Sequence, residues 1–144
     1  MAPFRLLLRV RYGECDAQQV VFNARYGDYV DVAATEFYRA LFGSYHDLLQ
    51  QGLDSQVVRM VTDWRAPARF DDVLQLEVRT LRLGTSSFTL EVDIRRQTDQ
   101  AAIARAEVTY VMVDARAFTK VAIPEAIRAL LERGAPGVTV NQAG

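Results

Sequence analysis

The sequence predicts an α+β domain in which a single antiparallel sheet wraps around one long central helix. Three observations predict it. The first residues alternate with period two, a single stretch from about Arg25 has helical period, and the segments after it are strand-like and joined by short turns. A chain of 144 residues fits one domain, 1–144, large enough to bury a core without disulfide or metal staples.

Phe4, Leu6, Leu8, Val10 and Tyr12 alternate with Arg5, Leu7, Arg9 and Arg11, the pattern of a half-buried strand whose arginines form a solvated face. GECDAQQVVFNARY has no sustained period and reads as a loop with a short helical turn. Tyr26, Tyr29, Val30, Ala33, Phe37 and Leu41 then share one helical face, with Asp28, Glu36 and Arg39 largely off it. Val32 and Ala34 widen the apolar side, so the helix should be covered on more than one flank. Near its start Asn23 has the short side chain that suits capping, and Gly43 is a stop.

After a polar connection, SYHDLLQQGLDS, the strand candidates are Val57 to Trp64, Val73 to Leu83, Phe88 to Ile94 and Ala102 to Asp114. Turns fall at Asp71–Asp72, at Gly84–Ser87 and at TDQ. Pro124 opens a short helix whose Ile127, Leu130 and Leu131 can dock. The tail from about 134 to 144 lacks helical period and is expected to fray. Short loops between the last strands require antiparallel pairing, and the sheet edges left over invite a homodimer or homotetramer.

A net charge of -1 and a pI of about 5.8 give no basic stripe, which argues against nucleic acid and anionic membranes as partners. The apolar patch at the N-terminus is short and broken by arginines, unlike a signal peptide, and no stretch approaches the ~20 apolar residues of a membrane helix. Cys15 is the only cysteine, so a cytoplasmic protein without intrachain disulfides is expected.

The informative stretch is RYGECDAQQVVFNARYGDYVDVAATEFYR. Asp16 stands in a loop just ahead of a helix that begins near Asn23. Helix N-termini present unpaired N–H groups and partial positive charge, which can hold a developing oxyanion. A carboxylate nearby can attack a thioester carbonyl or activate a water that does. An aspartate in this place can equally cap a helical turn.

This stretch resembles the signature of the 4-hydroxybenzoyl-CoA thioesterase family of hot-dog proteins, with Tyr12, Asp16, Val21, Asn23, Tyr26 and Asp31 at matching positions. The likeness continues through TDWRAPARFDDVLQLEV and RLGTSSFTLEV and spans roughly residues 5 to 115. It implies a hot-dog fold and hydrolysis of an acyl-CoA or acyl-carrier-protein thioester, with Asp16 as nucleophile or general base. By the same likeness the backbone N–H near Asn23 holds the thioester oxygen. Tyr26 walls the acyl pocket, which Phe22 and Trp64 can line as an aromatic or branched aliphatic slot. Thr85, Ser86 and nearby Arg82 follow the pantetheine or nucleotide arm, and a partner subunit completes the site. In one respect the chain departs from the family. Many relatives place glycine in the turn after the aspartate, where this chain reads Gln18-Gln19-Val20. Glycine there permits left-handed backbone and close approach of a ligand, so Gln19 bears on the oxyanion geometry.

Other readings compete. Cys15 as nucleophile would need a base, and the sole histidine, His46, lies in a different polar segment. One His and one Cys make a zinc site a poor fit, and no metal or separate cofactor is expected beyond the coenzyme A of the substrate. Asp31 could orient a water or make an interface contact, and Asp71 and Asp72 suit a turn. Trp64 could line the pocket or fill the core. The GTSS turn lacks the glycine spacing and lysine of a phosphate loop. A hot-dog hydratase or dehydratase would want a histidine in its motif, and a non-catalytic acyl-thioester binder is the reading that Gln19 favours. The acyl group itself is not fixed by fold.

Overall fold

A computed structural model describes residues 2–144. Strand β1 (Phe4–Arg9) buries Phe4, Leu6 and Leu8 on one face, as the alternation requires. Helix α1 (Arg25–Phe42) buries Tyr26, Tyr29, Val30, Ala33, Ala34, Phe37, Tyr38 and Leu41. That apolar face wraps further round than the predicted stripe, because the sheet and two further helices enclose α1. Gly43 ends it at a φ of 91°, donating its N–H to the Arg39 carbonyl at 3.0 Å. The residue at the N-cap is Ala24, and no side chain caps the helix. Asn23 therefore does not act as the predicted cap.

A second helix, α2 (Tyr45–Gln50), occupies the segment read as a polar connection. The Ser44 hydroxyl caps it by accepting the Asp47 N–H at 3.0 Å, and only Leu48 is buried. Six residues are too few to show a period. Strand β2 (Leu53–Trp64) starts four residues earlier than predicted, while β3 (Val73–Leu83) and β5 (Ala102–Asp114) match their predicted bounds. Strand β4 spans Ser87–Arg96 and helix α3 spans Glu125–Arg133, with Pro124 at its N-cap and Ile127 and Leu131 buried.

The sheet runs β2-β5-β4-β3-β1-β6, where β6 is Thr139–Asn141. Every pair is antiparallel except β1 with β6. The tail expected to fray thus adds a short parallel strand, with Arg5 opposite Thr139 and Leu7 opposite Asn141. Its strand character was hidden because three residues cannot display an alternation. The inner face of the sheet presents Leu74, Leu76, Leu90, Val92, Ile94, Ala106 and Val108 to α1. Phe4 and Phe37 meet edge to face at 5.6 Å, locking helix to sheet.

The outer face is charged and internally paired: Arg5 with Glu77 at 3.1 Å, Arg105 with Glu91 at 2.6 Å, and Arg82 with Glu107 at 3.5 Å. The edge strand β2 differs. Val57, Met60 and Trp64 share a face with their buried partners Tyr110, Val108 and Ala104, yet they are themselves exposed. No helix of the described residues is long and apolar enough to cross a membrane.

Candidate active site

Residues 14–22 form a small hairpin between β1 and α1. The Phe22 N–H donates to the Glu14 carbonyl and the Asp16 N–H to the Val20 carbonyl, each at 2.9 Å. The tip is a tight turn closed by the Gln19 N–H on the Asp16 carbonyl at 2.9 Å. Within it, the Asp16 Oδ1 accepts the Gln18 N–H at 2.8 Å, a local bond typical of aspartate in turns. Its Oδ2 has no hydrogen-bond partner among the described residues.

Gln19 takes a φ of 65°, in the left-handed region. The chain therefore keeps the backbone geometry that glycine would ease, at a cost of about 1 kcal/mol. The substitution does not remodel the turn; it strains it and leaves an exposed amide side chain beside Asp16.

Two hollows flank the hairpin. One, of about 400 Å³, is lined by Tyr12, Cys15, Asp16, Gln19, Arg69 and Phe70. Tyr12 and Phe70, both exposed, meet edge to face at 5.8 Å at its rim. The other, of about 310 Å³, lies between Asn23, Tyr26, Trp64 and the Arg65–Pro67 segment. The Tyr26 ring stands edge-on to Trp64 at 6.1 Å. The ridge between the hollows is Val20–Val21, held down by the Val21 N–H on the Ala68 carbonyl at 2.8 Å and by a bridge from Val20 to Arg69.

The helix start keeps free donors. The Arg25 N–H is taken by the Phe22 carbonyl and the Tyr26 N–H by the Asn23 carbonyl. Neither the Asn23 nor the Ala24 N–H has an acceptor among the described residues. Unspent donors at a helix N-terminus attract negative charge.

At the base of the hairpin sits Glu14, buried at 8% exposure. Burial pushes its carboxyl up, but the Arg11 backbone N–H and guanidinium and the Tyr29 hydroxyl outweigh that and hold it below its ordinary value. Burial first, then the Glu14 carboxylate, drives the Tyr29 hydroxyl far above its ordinary value, so it stays a proton donor. Burial likewise raises Tyr26, partly offset by the Ala68 backbone amide.

The predicted site residues divide into four places. Asp16 lines the first hollow, and Asn23, Tyr26 and Trp64 line the second. Phe22 is 46% exposed and lines neither. Arg82, Thr85 and Ser86 lie at the far end of β3, whose near end, Val73, abuts the hairpin's support through the Val10 N–H on the Asp72 carbonyl. Strand rise puts roughly 30 Å between the two ends, so within one chain these three do not meet Asp16.

His46 belongs to α2, beyond the C-terminal end of α1, while Cys15 precedes its start, so no Cys–His pair forms. Asp72 accepts the Arg69 N–H at 2.9 Å and Asp71 pairs with Arg9 at 3.4 Å, which are turn contacts. Asp31 is exposed on α1. Among the described residues no group of three or more His, Cys, Asp or Glu side chains could hold a metal. Sequence reasoning did not single out Glu14, Tyr29, Arg69 or Phe70 for the site. The last two arrive through the Val20–Arg69 bridge, a pairing of residues about fifty apart that no local pattern announces.

A model of the thioesterase-like superfamily matches residues 10–131. The acyl-CoA thioester hydrolase YbgC of Escherichia coli is 31% identical over 126 residues, covering 86% of this chain and 92% of the relative. Among solved structures, a hypothetical protein from Aquifex aeolicus superposes with a TM-score of 0.83 at 26% identity, covering 90% of this chain and 99% of that one. A thioesterase-superfamily protein from Jannaschia superposes with a TM-score of 0.85 at 24% identity over 94% of each chain, a likeness of fold.

Proposed function

This chain belongs to the thioesterase-like superfamily, and from that premise we infer that it hydrolyses acyl-CoA thioesters with Asp16 as its reacting carboxylate. The observation that carries the reading is two sets of unspent groups, one on the hairpin and one at the start of α1, on either side of the Val20–Val21 ridge. Asp16 has a free Oδ2, and seven residues on the Asn23 and Ala24 N–H groups point from the helix start without acceptors. In the general-base route Asp16 takes a proton from water as its oxygen bonds to the thioester carbon. The carbonyl oxygen becomes an oxyanion held by those N–H groups, then the C–S bond breaks and the thiol leaves with the proton. In the nucleophile route an Asp16 carboxylate oxygen bonds to the carbon and the C–S bond breaks with loss of the thiolate; water then hydrolyses the acyl–Asp16 anhydride to the free acid, restores the carboxylate and supplies the proton that the thiol carries away. Tyr26 and Trp64 wall the acyl end, while Phe22 stands outside as a rim residue.

A homodimer fits this chemistry. Strand β2 is a twelve-residue edge with no second neighbour and with Val57, Val58 and Met60 exposed. Antiparallel pairing of β2 with a second copy sets the Trp64 end beside the second copy's Leu53 end. The Gly84–Ser87 turn lies at the Leu53 end, two strands or ~10 Å in from that edge. Dimerisation thus carries Thr85 and Ser86 of the second copy toward Asp16, where they can follow the pantetheine arm. Arg82, paired with Glu107 on the outer face, fits that arm least.

The reaction needs no cofactor beyond the coenzyme A of the substrate, and a cytoplasmic setting suits the lone cysteine. The test is free-thiol release by purified protein across aromatic and aliphatic acyl-CoAs and an acyl-carrier protein, with light scattering for mass. Turnover by a dimeric species is expected. Binding of the same thioesters without thiol release would convert the protein to a non-catalytic binder, and a monomeric mass at micromolar concentration would remove the shared site.

A further inference from the structure

Glu14 is a buried carboxylate that the hydrolysis just described does not use. It is also the best-tied residue of the Asp16 hairpin. Its Oε1 accepts the Arg11 N–H at 2.8 Å and the Tyr29 hydroxyl at 2.9 Å. Its Oε2 accepts the Arg11 guanidinium through Nε at 3.1 Å and a terminal nitrogen at 2.8 Å. Its own carbonyl accepts the Phe22 N–H at 2.9 Å. One residue thereby joins the end of the first strand, the second turn of α1 and the returning limb of the hairpin.

These ties have a geometric consequence. Asp16 lies two residues beyond Glu14 on the outgoing limb, and Asn23 follows Phe22 on the returning one. The Glu14–Phe22 bond closes the hairpin base between the carboxylate and the free N–H groups. The Tyr29 bond then fixes that base against the helix whose N-terminus carries those groups. Of the other anchors, Val20 to Arg69 and Val21 to Ala68 hold the returning limb to the segment after β2, and the Arg25 N–H on the Phe22 carbonyl joins that limb to α1 by backbone alone, so Glu14 supplies the side-chain tie between the outgoing limb and α1.

We propose that Glu14 is a positioning residue which, through Tyr29 and Arg11, sets the Asp16 carboxylate against the N-terminus of α1. Its effect on rate rests on the thioesterase reading, but its effect on the hairpin does not. An ion pair between exposed Arg11 and buried Glu14 that served stability alone would make the same contacts, so the test must separate position from stability.

Glu14→Gln keeps the shape and loses the charge, Tyr29→Phe removes one donor, and Glu14→Asp retains a carboxylate. Hydrogen exchange on the full chain should show the Asp16, Gln19 and Phe22 amides exchanging faster in Glu14→Gln while β3–β5 stay protected. In thiol release, Glu14→Gln should lose about 10²-fold in kcat with KM little changed, the scale of a misplaced reacting group. Tyr29→Phe, the variant least disturbing to folding, should lose on the order of tenfold, the equivalent of one charge-assisted hydrogen bond. Glu14→Asp should recover part of the loss.

The decisive arm repeats Glu14→Gln in an Asp16→Asn background. If Glu14 acts through Asp16, the second change costs almost nothing, whereas a stability role would lower activity again by the same factor. Unchanged exchange in both Glu14→Gln and Tyr29→Phe overturns the proposal, and so does a loosened hairpin with full kcat. Should wild-type protein cleave no thioester at all, the functional reading falls, and the exchange result alone upholds or overturns Glu14 as the hairpin's anchor.

Discussion

Two turns at opposite ends of the molecule connect antiparallel limbs in contrasting ways. At Gly84–Ser87 the backbone is tied down: the Gly84 N–H bonds the Ser87 carbonyl at 2.7 Å, the Met112 N–H bonds the Ser86 carbonyl, and Arg128 donates to the Gly84 carbonyl at 2.6 Å. A glycine stands where an added Cβ would come within 2.8 Å of the Ser87 hydroxyl. At Asp16–Gln19 the chain holds back. A non-glycine residue sits at a φ of 65°, a carboxylate oxygen is unpartnered, and the following helix start keeps two free N–H groups. Left-handed non-glycine backbone also occurs at Asp71, Gln100 and Phe118, so what distinguishes the Asp16 turn is the coincidence of that strain with a free carboxylate oxygen and a helix start whose donors are unspent.

The largest expected effect tests that contrast directly. Asp16→Asn preserves shape but gives a poor nucleophile and a poor base, so kcat should fall by about 10²-fold or more while KM moves little. Ser86→Ala at the quiet turn should do the converse, raising KM by a few-fold through lost uniform binding and leaving kcat near wild type. Steady-state thiol release on both variants, with matched melting temperatures, checks the pair. Equal kcat losses at the two turns would erase the distinction.

The same contrast explains what could be read in advance. The Gly84–Ser87 turn, β3 and β5 were legible because their signals are local: alternation, glycine and serine, bounds correct to the residue. Asp16 was singled out mainly through resemblance, since an aspartate before a helix is common. Glu14 lay in a polar loop with no period, so nothing in the sequence marked it as buried, and its partner Tyr29 is fifteen residues away. Helix α2 and strand β6 were missed because six and three residues are too short to carry a pattern.

A further difference is the response to acid. The Glu14 carboxyl lies below its ordinary value of 4.5, so it is the usual carboxylate case. Its contribution to stability is complete above about pH 4.5 and is lost as pH falls through the lowered folded pKa, because the unfolded chain binds the proton first. Exchange at the Asp16 hairpin should therefore quicken below about pH 4 before exchange at Gly84–Ser87 does. In Glu14→Gln this acid step should vanish. A hairpin step that persists in that variant would assign it to another carboxylate.

The smallest effect concerns the strain itself. Gln19 occupies left-handed backbone in a turn whose closing bonds, Gln19 N–H to Asp16 and Asp16 N–H to Val20, require no particular side chain at this position. Gln19→Gly removes the Cβ clash worth about 1 kcal/mol and adds unfolded-chain entropy that takes back part of it. The net gain should be about 0.5 kcal/mol at most, a rise in melting temperature of roughly 2 °C or less for a chain of this size. The geometry of the turn is already the left-handed one, so the substitution should leave kcat within about twofold, in contrast to every change at Asp16. Calorimetry and thiol release on one preparation decide it. A variant that is less stable than wild type would mean that the exposed Gln19 amide, beside Asp16 in the 400 Å³ hollow, makes a stabilising contact that outweighs the strain of its backbone.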